Sequence, residues 1–125
     1  MAEPTAIAVG AHWENQALEH LSSRGLKLLC KNFRCRMGEV DLVMLDQDCL
    51  VFVEVRYRKS NRFASAACSV GHHKQRKLVR AAAMFLGRHP QYCNHVVRFD
   101  VVAFDATPDD QCTLQWLQDA FRLET

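Results

Sequence analysis

Apolar residues recur along this chain with two different periods, and the switches between them mark out its elements. Trp13, Ala17, Leu18 and Leu21 fall on one stripe at helical spacing, which predicts a helix over 11–24 ended by Gly25. Residues 26–34 then read as a strand, with Leu26, Leu28, Leu29 and Phe33 set among basic residues. A hairpin follows, turning at Gln47-Asp48: Val40, Leu42 and Met44 alternate with Val43 and Leu45, and Val51, Val53 and Val55 alternate with Leu50 and Phe52. Both faces of these strands are apolar, so the sheet must be covered on both sides. Residues 58–69 are small, polar and basic and read as a loop. A second helix is predicted over 72–86, burying Leu78, Val79, Ala82, Phe85 and Leu86 and stopping at Gly87 ahead of Pro90. A strand over 96–104, a turn over 107–110 and a short strand over 112–117 complete the chain. The order α-β-β-β-α-β-β gives a single α/β domain over 1–125, with a mixed central β-sheet flanked by helices.

Two carboxylates interrupt the apolar hairpin. With the turn centred on Gln47-Asp48, antiparallel pairing places Asp41 opposite Glu54, on one face of the sheet and with Cβ atoms about 5 Å apart. Like charges at that separation repel unless a cation lies between them, and buried charges are paired or coordinate metals. A hard, oxygen-preferring ion such as magnesium or manganese suits the pair. Acidic residues also mark strand ends and solvated faces, and a slip of one residue would send the two to opposite faces, so the hairpin alone leaves both readings open. In the same register Arg56 shares the face of Glu54 and lies opposite Glu39. Phosphodiester hydrolysis needs a metal to activate water together with positive charge beside the transition state. Glu14, next to the apolar stripe of the first helix, offers a further carboxylate; an ordinary acid favoured near a helix N-terminus explains it equally well.

Composition bounds the remaining classes. The chain has 125 residues, 49% hydrophobic and 24% charged, which is ordinary for one globular domain. It holds no apolar run of membrane-spanning length and does not open as a secretory signal, so a cytoplasmic protein is expected. The six cysteines lie mostly in apolar runs without metal-ligand spacing, and read as buried free thiols. The net charge of +2 conceals a segregation: residues 55–99 carry ten of the sixteen Lys and Arg and none of the fourteen acids. That stretch is therefore +10, and the remaining six cations against fourteen acids leave −8 elsewhere. Such asymmetry points to a polyanion partner, although a solvated basic helix also accounts for part of it. Arg58, Lys59, Arg62, Lys74 and Lys77 are the expected phosphate contacts, giving affinity that falls steeply with salt. Trp13, Tyr57 and Phe63 offer stacking surfaces, but packing is the favoured role for each.

The succession of Gly10, Glu14 and Ala17, then Asn32-Phe33-Arg34, Gly38-Glu39-Val40-Asp41-Leu42, Val51-Phe52-Val53-Glu54-Val55-Arg56-Tyr57-Arg58, Lys74, Arg98-Phe99-Asp100-Val101-Val102 and Ala120-Phe121 resembles the YraN-like family. These small bacterial proteins are similar to archaeal Holliday junction resolvases and are grouped with the PD-(D/E)XK nucleases. The resemblance implies a restriction-endonuclease-like core in which Asp41 and Glu54 bind magnesium. It also implies that Glu14 fills the acidic position of the first helix and that Arg56 stands where the motif has lysine. Arginine stays charged and cannot act as a base, so Arg56 would serve electrostatically. Lys74 either substitutes for the missing lysine or, as favoured, holds the DNA backbone.

The expectation from these readings is a metal-dependent endonuclease, with Mg2+ or Mn2+, hydrolysing phosphodiester bonds in structured or branched DNA. DNA repair or recombination follows from the resemblance alone. A two-fold symmetric junction implies a homodimer. The rival from another class is a non-catalytic nucleic-acid-binding protein with a degenerate nuclease site, and an RNA nuclease is a third reading.

Overall fold

In a computed structural model, which describes residues 6–59, 70–107, 109 and 111–122, the chain forms helix α1 (Ala6–Ser23), strands β1 (Lys27–Cys35), β2 (Gly38–Asp46) and β3 (Cys49–Arg58), helix α2 (His72–Arg88), a 3-10 turn (Pro90–Tyr92), and strands β4 (Val96–Ala106) and β5 (Cys112–Phe121). The expected element order holds. The five strands stand in sequence order, every neighbouring pair antiparallel except β3 with β4. A parallel pair needs a long crossover, and α2 lies within the segment that joins β3 to β4.

Both sheet faces are covered, as the two-sided apolar hairpin requires. On the α1 side Ala17 and Leu21 pack with Leu42, Met44, Val51, Val53, Val102 and Phe104. Facing α2, Leu78, Ala81, Ala82 and Phe85 meet Val43, Leu50, Phe52, Phe99 and Val101. Each of the Val, Leu, Met and Phe side chains among them, fully buried, contributes about 1.5–3 kcal/mol. Gly25 ends α1 with φ +95, where the Gly25 and Leu26 N–H groups return to the carbonyls of Ser22 and Leu21 at 3.1 and 3.2 Å. Only glycine adopts that conformation cheaply, and buried Leu26 closes the motif against Leu21.

The boundaries differ from expectation in instructive places. Helix α1 starts at Ala6, more than a turn before residue 11, since nothing in Ala6-Ile7-Ala8-Val9 interrupts it. Helix α2 runs through Gly87 to Arg88; the stop comes from His89, held at φ −132 and ψ 68 by the proline that follows. Strand β5 continues four residues past 117, beyond an irregularity in its pairing with β4. The free thiols are less buried than their runs implied: Cys30, Cys35 and Cys49 are half-buried and Cys93 and Cys112 exposed, while Cys68 lies outside the described residues. Most of the expected loop over 58–69 also lies outside them.

Buried Asp100 organises the β4–β5 edge. The Arg98 guanidinium grips it with two hydrogen bonds of 2.8 and 3.0 Å, and Trp116 Nε1 and the Asp119 N–H each donate to it at 2.9 Å. With four donors on two oxygens, a charge of zero exposure is fully satisfied. Arg98 also reaches Asp46 at 3.2 Å, tying β4 to the end of β2.

Candidate functional site

The site forms where the sheet breaks its own alternation. Lys31 pairs with Leu42 on the α1 side, and the Lys31 ammonium donates to Asn15 of α1 at 2.8 Å. Two residues along, Phe33 pairs with Val40, yet both lie in the core on the α2 side. A regular strand returns to the same face every second residue, so both strands invert between these pairs. The pivots are Asn32, with φ +52, and Asp41. Asparagine is among the few residues that take left-handed backbone at modest cost.

The β2–β3 ladder follows the expected register from Asp46–Cys49 to Leu42–Val53 and stops there. Beyond it the Val55 N–H donates to Asp41 Oδ2 at 2.8 Å, so a side chain satisfies a donor that has no strand partner in the ladder. Asp41 was expected opposite Glu54, and Glu39 opposite Arg56, but the ladder stops short of both pairs. Glu39 instead meets Arg34 across β1 at 3.0 Å, and Arg56 turns back to Glu54.

Asp41 is 7% exposed and Glu54 only 3%. Glu54 Oε1 lies 3.5 Å from both Arg56 Nη1 and Lys74 Nζ, while Oε2 is buried and has no hydrogen-bond partner among the described residues. Burial first, then the charge of Glu54, push the Asp41 carboxyl from 3.8 up to about 7, against the opposing pull of the Val55 N–H. Burial likewise raises Glu54, despite Lys74 and Arg56. Glu14, partly buried, is raised by desolvation and by the charge of Asp41, while the Asn32 amide opposes the shift through a hydrogen bond. Two carboxylates so placed ionise together at a cost, which added positive charge relieves.

Glu14, Trp13, Asp41, Glu54, Arg56 and Lys74 line one cleft of about 340 Å³ between α1, the β2–β3 hairpin and the start of α2. Lys74 sits in the first turn of α2, at the positive end of the helix dipole. That position disfavours a cation unless an anion faces it, and Glu54 does so. Trp13 stacks on Tyr57 with ring centres 4.4 Å apart and leans on Phe104, so both aromatics take the packing role favoured for them. Phe63 and Arg62 lie outside the described residues. Arg58 and Lys59 end β3 and follow it, half-buried and exposed respectively. Lys77 belongs to a neighbouring shallow groove with Arg34, Gly38, Glu39 and Lys74. The backbone there is close: a Cβ on Gly38 would stand 3.0 Å from the Lys77 carbonyl oxygen.

The donor set suits a hard cation. Magnesium is commonly bound by one or two carboxylates and keeps several waters, and the Glu54 oxygen without a partner among the described residues would offer such an anchor together with Asp41. Among the described residues no group of three or more His, Cys, Asp or Glu side chains is placed to hold a metal ion, so an ion here would rest on Asp41 and Glu54 and take its other ligands from waters and substrate oxygens. Asn32 entered the sequence reading only within the family resemblance and was given no role there. Its one signal was an asparagine inside a strand, where the type is depleted.

Fold and cleft together define a small mixed α/β domain with an acid pair enclosed by cations. Over residues 13–104 the chain matches the family described as "Uncharacterised protein family UPF0102". It is 50% identical over 120 residues to a UPF0102 protein of Pseudomonas putida strain GB-1, covering 96% of each chain. Over 115 residues it is 44% identical to a UPF0102 protein of Alcanivorax borkumensis, covering 92% of each. A UPF0102 protein of Stutzerimonas stutzeri shares 50% over 112 residues, 90% of this chain and 92% of its own. The chain belongs to the UPF0102 family. No helix among the described residues is long and apolar enough to cross a membrane.

Proposed function

We propose that this protein is a metal-dependent endonuclease that hydrolyses phosphodiester bonds in structured or branched DNA. The observation that carries the reading is the buried Asp41–Glu54 pair, with Glu54 3.5 Å from Lys74 and Arg56 through one oxygen and its other oxygen without a partner among the described residues. A helix, an acid-bearing antiparallel meander, and a helix crossing to a parallel strand is also the arrangement expected of a restriction-endonuclease-like core.

Asp41 and Glu54 would hold magnesium or manganese. Bound there, the ion would lower the pKa of a water and polarise the phosphoryl oxygen. Arg56 and Lys74, freed in part from Glu54, would stabilise charge developing on the non-bridging oxygens. Arg56 stays protonated throughout and supplies only charge and donors. Lys74 stands on the same Glu54 oxygen, where it would hold a phosphate of the DNA backbone, the role favoured for it, or would stand in from α2 for the lysine missing on β3. Glu14 would accept a hydrogen bond from the attacking water at its carboxylate and so align it. A DNA substrate fits a cytoplasmic protein, and a two-fold symmetric junction fits a homodimer.

The test is a panel of junction, flap, single-strand and duplex DNA, with matched RNA, in magnesium or manganese. Native protein is compared with Asp41→Asn, Glu54→Gln and Arg56→Ala. Cutting should be lost in both carboxylate variants while binding persists. Equal residual cutting in all three variants would assign the activity to a contaminant, and salt-sensitive binding without cutting in the native protein would leave only the non-catalytic reading.

A further inference from the structure

A second groove lies on the other flank of α2. The helix packs chiefly across β1 and β2, and between it and the end of β5 opens a cleft of about 630 Å³. His72, Arg76 and Arg80 line it from the helix and Arg122 from the strand end, with Val79 and Phe121 as apolar lining. The three helical residues are spaced by four, which sets a stripe with a basic group about every 6 Å. Lys74 sits about 160° around the helix from Arg76, so this stripe is separate from the acid cleft.

The stripe is locally unfavourable. Like charges at i, i+4 destabilise a helix by a few tenths of a kcal/mol, and cations near its N-terminus add to that cost. Among the described residues no carboxylate forms an ion pair with Arg76 or Arg80, and residues 55–99 contain no acid. Arg122 does pair, with Asp119 at 2.6 Å, but remains largely exposed. Phe121 stacks on Phe99, ring centres 5.0 Å apart, and lines the groove beside the cations. A cationic track with an aromatic platform is the chemistry that binds unpaired nucleic acid: phosphates follow the charges and a base stacks on the ring. A duplex keeps its bases stacked within the helix, so only an unpaired strand can offer a base to Phe121.

We propose that this groove is a second nucleic-acid contact, which takes one unpaired strand along His72, Arg76, Arg80 and Arg122 and stacks a base on Phe121. The proposal rests on the nucleic-acid reading of the protein and not on cleavage. Its test is fluorescence anisotropy with a labelled twelve-nucleotide oligothymidine and with a blunt duplex, in EDTA, over a salt series. The joint variant Arg76→Gln with Arg80→Gln should weaken single-strand binding about tenfold and flatten the log–log salt dependence by about 1.4, at roughly 0.7 per phosphate contact. Phe121→Leu should weaken it severalfold with the salt slope unchanged. Duplex affinity should change less than twofold in either. Native protein that binds both probes while the joint variant matches it on the single strand would overturn this groove alone. Equal losses on oligothymidine, duplex and anionic vesicles would overturn it too, as general charge attraction. Native protein that binds no nucleic acid would remove this proposal and the proposed function together.

Discussion

Replacing Asp41 by asparagine should make the metal-free protein more stable at slightly alkaline pH, although it removes a residue placed at the centre of the site. In the folded protein this carboxyl is pushed from 3.8 up to about 7, by burial first and by Glu54 second. In the unfolded chain it titrates near 3.9. Between about pH 4 and 7 the folded state therefore keeps a proton that the unfolded chain has released. Stability then falls as pH rises through that window, by about 1.4 kcal/mol per unit, and the penalty is complete, at about 4 kcal/mol, above pH 7. The raised pKa of Glu54 acts in the same direction. Asparagine matches aspartate in shape, and its carbonyl oxygen can still accept from the Val55 N–H, but it carries no charge. The variant should exceed the native protein by about 2–4 kcal/mol at pH 8 and by less than half of that at pH 5. Urea unfolding followed by far-UV circular dichroism in EDTA measures both, and the difference between the proteins cancels histidine titration common to them. Magnesium at about a hundred times its Kd should restore about 2.7 kcal/mol to the native protein and nothing comparable to the variant. A variant no more stable than native at pH 8, or a gap that ignores pH, would refute the account of two carboxylates buried side by side.

Other sites give independent checks. Asn32→Val should cost about 1–2 kcal/mol in urea unfolding, because a β-branched residue resists φ +52, whereas Asn32→Gly keeps the backbone and stays near native stability. Asp100→Ala leaves the Arg98 guanidinium, Trp116 Nε1 and the Asp119 N–H without their shared acceptor, and should destabilise by about 3–5 kcal/mol, read as a lowered Tm. Gly38→Ala drives a Cβ against the Lys77 carbonyl and should cost about 1–3 kcal/mol, with hydrogen exchange accelerated over the first turns of α2.

The order of elements was legible because each is bounded by chemistry with one local meaning: Gly25 past α1, Gln47-Asp48 between two apolar runs, and Pro90 beyond α2. Even the hairpin register followed from its turn, and Gln47 duly takes φ +54. Gly87 misled because a glycine inside a helix costs only about 1 kcal/mol, which the packing of Phe85 and Leu86 outweighs. The extension of β5 was hidden because its cause is remote in sequence: the Asp119 N–H is held by Asp100, nineteen residues earlier.

The acid cleft was half legible, and the division has a physical reason. Charge violates an apolar pattern visibly, so Asp41, Glu54 and the acid-free basic stretch stand out from the residues alone. The inversion at Asn32 and Asp41 violates a backbone rule, and Val40, Leu42, Val43 and Met44 are all buried whichever way they face, so alternation there carries no information. The inversion matters to the site all the same. Without it the ladder would continue past Leu42 and Val53, the Val55 N–H would be held by a strand carbonyl, and Asp41 would have no backbone donor fixing its carboxylate next to Glu54. Three departures from local preference thus converge on one cleft: an asparagine in left-handed backbone whose amide reaches Glu14, two acids in an apolar hairpin, and a lysine at the positive end of a helix. Each lowers stability by itself, and their convergence is what a site shaped for binding, rather than for folding alone, leaves in a structure.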